Sequence, residues 1–172
     1  MSIDECINAV EPDGTLRTGL EWGGVWTRDV SYSTILSMAY MQPQAAMTSL
    51  LCKINSKGEI VQDTGTGGAW PCSTDRQIWV GAAWEIYKVT GSREWLEKVY
   101  PVAKKSLEVD IRTIYDERTG LAKGESSFID WRKNSYPLWM ESADIYDSKC
   151  LGTNIVHYVA LTSAAEMGRI IG

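Results

Sequence analysis

At 172 residues, 44% of them hydrophobic, the chain holds enough apolar material for one domain with a real core. A net charge of −5 with no Lys/Arg cluster argues against nucleic acid and anionic membrane as partners, and no apolar run reaches transmembrane length. One His and four widely spaced Cys, with no CxxC, predict neither a zinc site nor a cofactor.

The four cysteines read as buried free thiols, with a disulfide as the alternative. Met1–Glu5 has neither a basic n-region nor an apolar h-region, so no signal peptide is read and the compartment stays open. Eight Trp and eight Tyr against a single Phe is a bias toward aromatics with a polar handle, which suits half-wet clefts. Trp84 and Trp95 are assigned to the core.

Residues 1–25 show no period and read as a Gly-rich entry loop around Leu20-Glu21-Trp22. A helix is predicted from Thr27, its N-cap, to Tyr40, with Val30, Thr34, Ile35, Met38 and Ala39 facing in. Gln42-Pro43 breaks it and starts a second helix to Ile54. Asn55–Gly58 reads as a turn, Glu59–Gln62 as a short strand, and Asp63–Pro71 as a Gly-rich loop. That loop lacks both the Lys-Ser/Thr ending of a phosphate cradle and the dinucleotide fingerprint, so no nucleotide site is read.

Ser73 or Thr74 caps a third helix over Asp75–Val89, with Ile78, Ala82, Ile86 and Val89 inward and Gly91 as its stop. Ser92 caps a fourth, carrying Leu96, Val99, Ala103, Leu107, Ile111 and Ile114, with Pro101 expected to kink or split it. Tyr115–Gly120 is a turn and residues 133–152 are irregular. Thr153 caps a fifth helix to Ile170, with Ile155, Tyr158, Val159, Thr162 and Ala165 facing in. The predicted fold is all-α: antiparallel helical hairpins whose long loops gather at one end.

Three clusters carry candidate chemistry. Trp26-Thr27-Arg28-Asp29 offers an aromatic face, a donor and an acceptor for a sugar ring, though Asp29 could equally serve the helix dipole. Trp70-Pro71 with Asp75, Arg76 and Trp79 forms the second, where Asp75 could be a capping residue. The third is Gly124-Glu125-Ser126-Ser127-Phe128-Ile129-Asp130-Trp131-Arg132, continued by Trp139. Asp130, between Ile129 and Trp131, is the candidate acid, because apolar neighbours favour the protonated carboxyl that glycosidic cleavage needs. A salt bridge to Arg132 or Lys133 would act the other way, and Glu125 could be a turn residue bonding Ser127.

Trp26-Thr27-Arg28-Asp29, Ser73–Trp79, Ala83–Leu96 and Glu125–Trp131 together resemble the six-hairpin glycosidases, the (α/α)6-barrel superfamily of inverting enzymes that includes processing α-glucosidases, trehalases and debranching-enzyme glucosidases. The resemblance covers most of residues 20–172. It implies part of an (α/α)6 toroid and an exo-acting hydrolase of gluco-oligosaccharides. Arg28, Asp29, Asp75 and Trp79 would line the −1 subsite, with Trp26, Trp70, Trp131, Arg132 and Trp139 as further sugar contacts. The trehalase-like Glu-Ser-Gly-Trp-Asp pattern puts the general acid at its Asp. Here Ile129 takes that fifth position and Asp130 follows one later, leaving Glu125 as the other candidate.

Twelve such helices need roughly 350–400 residues, against about five predicted here. The expectation is therefore an N-terminal-half piece, without the late carboxylate that serves as base, self-associating through exposed helix faces. A non-catalytic carbohydrate-binding module is the alternative. Cyclase-like and prenyltransferase-like arrays want zinc ligands or Asp-rich motifs that the chain lacks, and a purely structural array would not explain the Trp/Asp clusters.

Overall fold

The computed structural model describes residues 2–63, 74–124 and 136–172. The chain is predominantly helical: α1 (Ser2–Asn8), α2 (Thr27–Ser33), a π-helical segment (Thr34–Met38), α3 (Ala39–Met41), α4 (Pro43–Cys52), α5 (Asp75–Thr90), α6 (Arg93–Ile114), α7 (Ser142–Asp147) and α8 (Leu151–Ile171). Two-residue strands β1 (Tyr115–Asp116) and β2 (Leu121–Ala122) pair antiparallel, with Tyr115 opposite Ala122. Among the described residues no helix is long and apolar enough to cross a membrane.

The predicted helices are present, with instructive shifts at their ends. Thr27 is the first residue of α2 and Trp26 its N-cap, because a carboxylate from elsewhere in the chain serves the helix start. A π-helical turn interrupts the stretch that was predicted as uniform helix. The predicted strand at Glu59–Gln62 reduces to one bridge, Ile54 opposite Ile60, around a turn where Asn55 Oδ1 accepts from the Lys57 and Glu59 amides. Ser92 caps α6 as predicted, its hydroxyl accepting from the Trp95 amide at 3.1 Å. Gly91 ends α5 at φ +65°, the left-handed conformation that costs glycine no Cβ clash.

Pro101 does not split α6: Arg93–Ile114 is one helix. α8 starts at Leu151, so Thr153 lies inside its first turn, buried. Two short helices, α1 and α7, occupy stretches read as irregular. The α7 signal was present: Glu141 accepts from the Asp144 amide and Asp144 accepts from the Glu141 amide, a capping box.

Helix α5 is the centre. It packs against α2, the π-helical segment, α3, α4, α6 and α8, and everything from Gln77 to Ala83 is buried. Small residues make this possible. A Cβ at Gly81 would already meet Ile35 at 3.5 Å and Val159 at 3.9 Å, so α2's continuation and α8 approach the same point of α5. Trp79 is fully buried and its indole N–H donates to the Leu50 carbonyl at 2.9 Å; Trp95 does the same toward Ala83. Trp95 is thus in the core as predicted, while Trp84 is half-buried and stacked on Tyr87. Cys6 and Cys52 are free thiols, but Cys52 is exposed, not buried, while Cys6 and Cys150 are half-buried.

The inward face of α8 is the largest correction. Ile155, Tyr158, Val159, Thr162 and Ala165 are exposed, while Thr153, Val156, His157, Ala160, Ser163 and Met167 are buried. The buried stripe mixes small residues with His157 and Met167, and α8 comes closest to its neighbours at a glycine. At Gly168 a Cβ would sit 2.8 Å from the Tyr100 hydroxyl of α6. Ile111 of α6 likewise turns outward.

Candidate functional site

Hydrogen bonds and ion pairs fix which helix ends meet. The Thr27 amide at the start of α2 donates to Asp63 Oδ1 at 3.1 Å. Asp63 is also ion-paired with Lys53, the residue that ends α4, and Lys53 donates to the Val25 carbonyl at 2.7 Å. The Asp63 amide in turn donates to Asp75 Oδ2, at 2.8 Å, in the first turn of α5. One aspartate therefore pins the start of α2, the end of α4 and the start of α5.

The end of α6 joins the start of α5. The Arg76 guanidinium donates to Asp110 Oδ1 at 2.7 Å and to the Ile60 carbonyl at 3.0 Å, and the Gln77 amide donates to the other Asp110 oxygen. Burial pushes the Asp110 carboxyl above its ordinary range, against the pull of Arg76 and Gln77. At the opposite end, Arg93 at the start of α6 donates to the Ile170 and Ile171 carbonyls that close α8. α8 therefore starts where α5 and α2 start. Its first turns are tied to the β-hairpin by Asn154, which accepts from the Ala122 amide at 2.8 Å. Lys149 adds a 3.1 Å pair to Asp116, whose carboxyl it holds at about 2.

Of the sequence-predicted residues, this end brings together Asp29, Asp75, Arg28 and Trp26. Asp29 sits in the first turn of α2 and is exposed, yet its carboxyl is raised. Crowding by surrounding protein is the main cause, Asp75 and Asp63 add to it, and Arg28 opposes. Arg28 is half-buried, and Trp26 is 36% exposed beside it. The Trp26 amide donates to the Thr18 hydroxyl at 3.3 Å, which holds the entry loop against the start of α2.

Asp75 is fully buried, so it supports this end from within. Trp79 corrects the reading of it as pocket lining: its ring is in the core and its N–H is committed to Leu50. Trp139 is 71% exposed in a turn closed by Met140 N–H to Pro137 O, and no hydrogen bond or ring contact joins it to Trp26 among the described residues. Asp130, Glu125, Trp131, Arg132 and Trp70 lie outside the described residues. Gly124, the residue before Glu125, is at the common end, its amide donating to Ser148 O at 3.0 Å just ahead of α8.

Asp63 and Lys53 are the residues that sequence reasoning missed. Asp63 stands 36 residues from the amide it caps and 12 from the carboxylate it contacts, so no local pattern marks it. No group of three or more His, Cys, Asp or Glu among the described residues is arranged to hold a metal ion. The carboxylates gathered here are served by Lys53, Arg28 and backbone amides, which makes this end an arrangement of hydrogen-bonding groups around a half-exposed Trp. Compared with known proteins, the chain matches no family model, no curated protein and no solved structure.

Proposed function

We propose that this chain carries the sugar-binding wall and the acid of an inverting, exo-acting glycoside hydrolase for gluco-oligosaccharides, on part of an (α/α)6 toroid of helical hairpins. The observation that carries the reading is the common end. The starts of α2 and α5 meet through Asp63, α8 starts alongside, and Trp26, Arg28 and Asp29 stand there within reach of solvent. A half-exposed indole beside a guanidinium and a carboxylate suits a sugar, whose C–H faces stack on the ring while its hydroxyls donate and accept. In this reading Asp130 protonates the leaving oxygen, with Glu125 as the second candidate.

The alternative, sugar binding without cleavage, is favoured by one observation. Asp63 is already paired with Lys53 and Asp75 is buried, so neither is free to activate water. The proposal also includes self-association through the exposed apolar residues of α8, Leu151, Ile155 and Tyr158.

A titration of Trp fluorescence with gluco-oligosaccharides tests both readings. Arg28→Ala is expected to weaken binding about tenfold, the loss of one charge-assisted hydrogen bond. Asp130→Asn is expected to retain binding. Silence across a broad glycan panel would overturn both readings, and hydrolysis by the parent chain unaided, lost in Asp130→Asn, would exclude the binding-module reading and show that the base is present.

A further inference from the structure

A concavity lies behind the entry loop, whose Thr18 hydroxyl also accepts from the Trp26 amide. A cavity of about 470 Å³ opens between α1, residues 17–20 and the π-helical segment, with Arg17, Ser33, Ser37, Met38 and Glu5 among its lining residues. We propose that it binds a small hydroxylated monocarboxylate, the class of hydroxy acids and sugar acids, with the carboxylate on Arg17 and the hydroxyls on Ser33 and Ser37. This goes beyond the glycosidase reading and does not depend on it.

Three observations carry it. First, Arg17 is half-buried and makes no side-chain hydrogen bond or ion pair among the described residues. A guanidinium withdrawn from water without an acceptor is costly, and its planar fork matches a carboxylate in two parallel bonds. Second, Ser33 and Ser37 are one turn apart where the helix runs into π geometry, a local widening that recurs at functional sites. The Ser33 hydroxyl has no partner among the described residues, and Ser37 has only a long 3.4 Å bond to the Ser33 carbonyl. Both can serve ligand hydroxyls. Third, Glu5 lines the same cavity without forming an ion pair with Arg17. A second charge on the ligand would meet repulsion, which selects monoanions. Met38, only 5% exposed, supplies an apolar surface for the ligand's carbon chain.

Amide chemical shifts of the whole chain, titrated with gluconate, sorbitol and hexanoate, separate the contributions. Gluconate is expected to move the amides of Arg17–Leu20 and Ser33–Met38. Sorbitol, which lacks the carboxylate, and hexanoate, which lacks the hydroxyls, should each bind about tenfold more weakly or less. Arg17→Gln should cost about tenfold in gluconate affinity with unchanged circular dichroism. Should that variant not fold, Arg17→Lys, which keeps the charge and loses the fork, should still weaken binding several-fold. Sorbitol or hexanoate binding as tightly as gluconate, gluconate moving no amide in these two stretches, or undiminished affinity in the Arg17 variant would each overturn the proposal. Neutral gluco-oligosaccharides should instead move Trp26–Asp29, so failure of either site is read apart from the other.

Discussion

Helices α5 and α8 pack side by side and are both rich in apolar residues, yet they use them in opposite ways. α5 is covered on every side, and its run from Gln77 to Ala83 is buried without interruption. α8 buries a stripe of Thr153, Val156, His157, Ala160, Ser163 and Met167 and leaves Leu151, Ile155 and Tyr158 in solvent. The difference shows that hydrophobic periodicity alone does not decide which face of a helix goes in: His157 and Met167 are among the largest buried side chains, while Ile155 and Tyr158 stay outside. Close approach is local, at Gly81 of α5 and Gly168 of α8, where a Cβ would meet Ile35 and Tyr100.

The sharpest test of this contrast is Trp79→Ala in α5. Removing a fully buried indole and its hydrogen bond to the Leu50 carbonyl should cost about 3–5 kcal/mol, enough to unfold a marginal domain. Chemical denaturation reads it directly, and a loss below about 1 kcal/mol would mean that α5 is not the centre.

The next effect is smaller and depends on pH. His157, on the buried stripe of α8, shares a 2.9 Å hydrogen bond between its Nδ1 and the Tyr115 hydroxyl, and burial lowers its pKa to about 4. The unfolded chain takes up a proton near pH 6.5 while the folded chain resists until about 4. Stability from this group is therefore fully present above pH 6.5 and is lost as pH falls toward 4, by about 3 kcal/mol at most. Melting curves across that window should show the decline, and His157→Gln should flatten it. An unchanged slope in the variant would place the titrating group elsewhere.

The smallest effect belongs to the outer face. Ile155→Ser and Tyr158→Ser should each shift stability by only about 0.5 kcal/mol. A loss several times larger, falling away on dilution, would mean that a second copy covers this face.

Much of this was legible in the sequence, for a physical reason in each case. The stop of α5 and the start of α6 were readable because Gly91 and Ser92 act within four residues of where they stand. The continuity of α6 through Pro101 was not, because packing along Leu96, Val99, Ala103 and Leu107 outweighs one lost backbone bond. The face of α8 was misread because Ile155, Tyr158, Val159, Thr162 and Ala165 at helical spacing satisfy the same periodicity as the buried stripe beside them. At the candidate site, Trp26, Arg28 and Asp29 were found because they are adjacent in the chain. Asp63 was not, since its role exists only after distant segments meet. Trp79 has the spacing of a site residue and the environment of a core residue, and only packing distinguishes the two.

The cap of α2 also has a consequence in time. Trp26 offers no side-chain oxygen to the first turn, and the aspartate that does so lies 36 residues downstream. During synthesis α2 therefore emerges with its first amides facing water, and they keep that arrangement until Asp63 has been made and has closed the intervening loop. The end of the molecule that gathers Arg28 and Asp29 is completed only once α5, which follows Asp63 in the chain, has also been made.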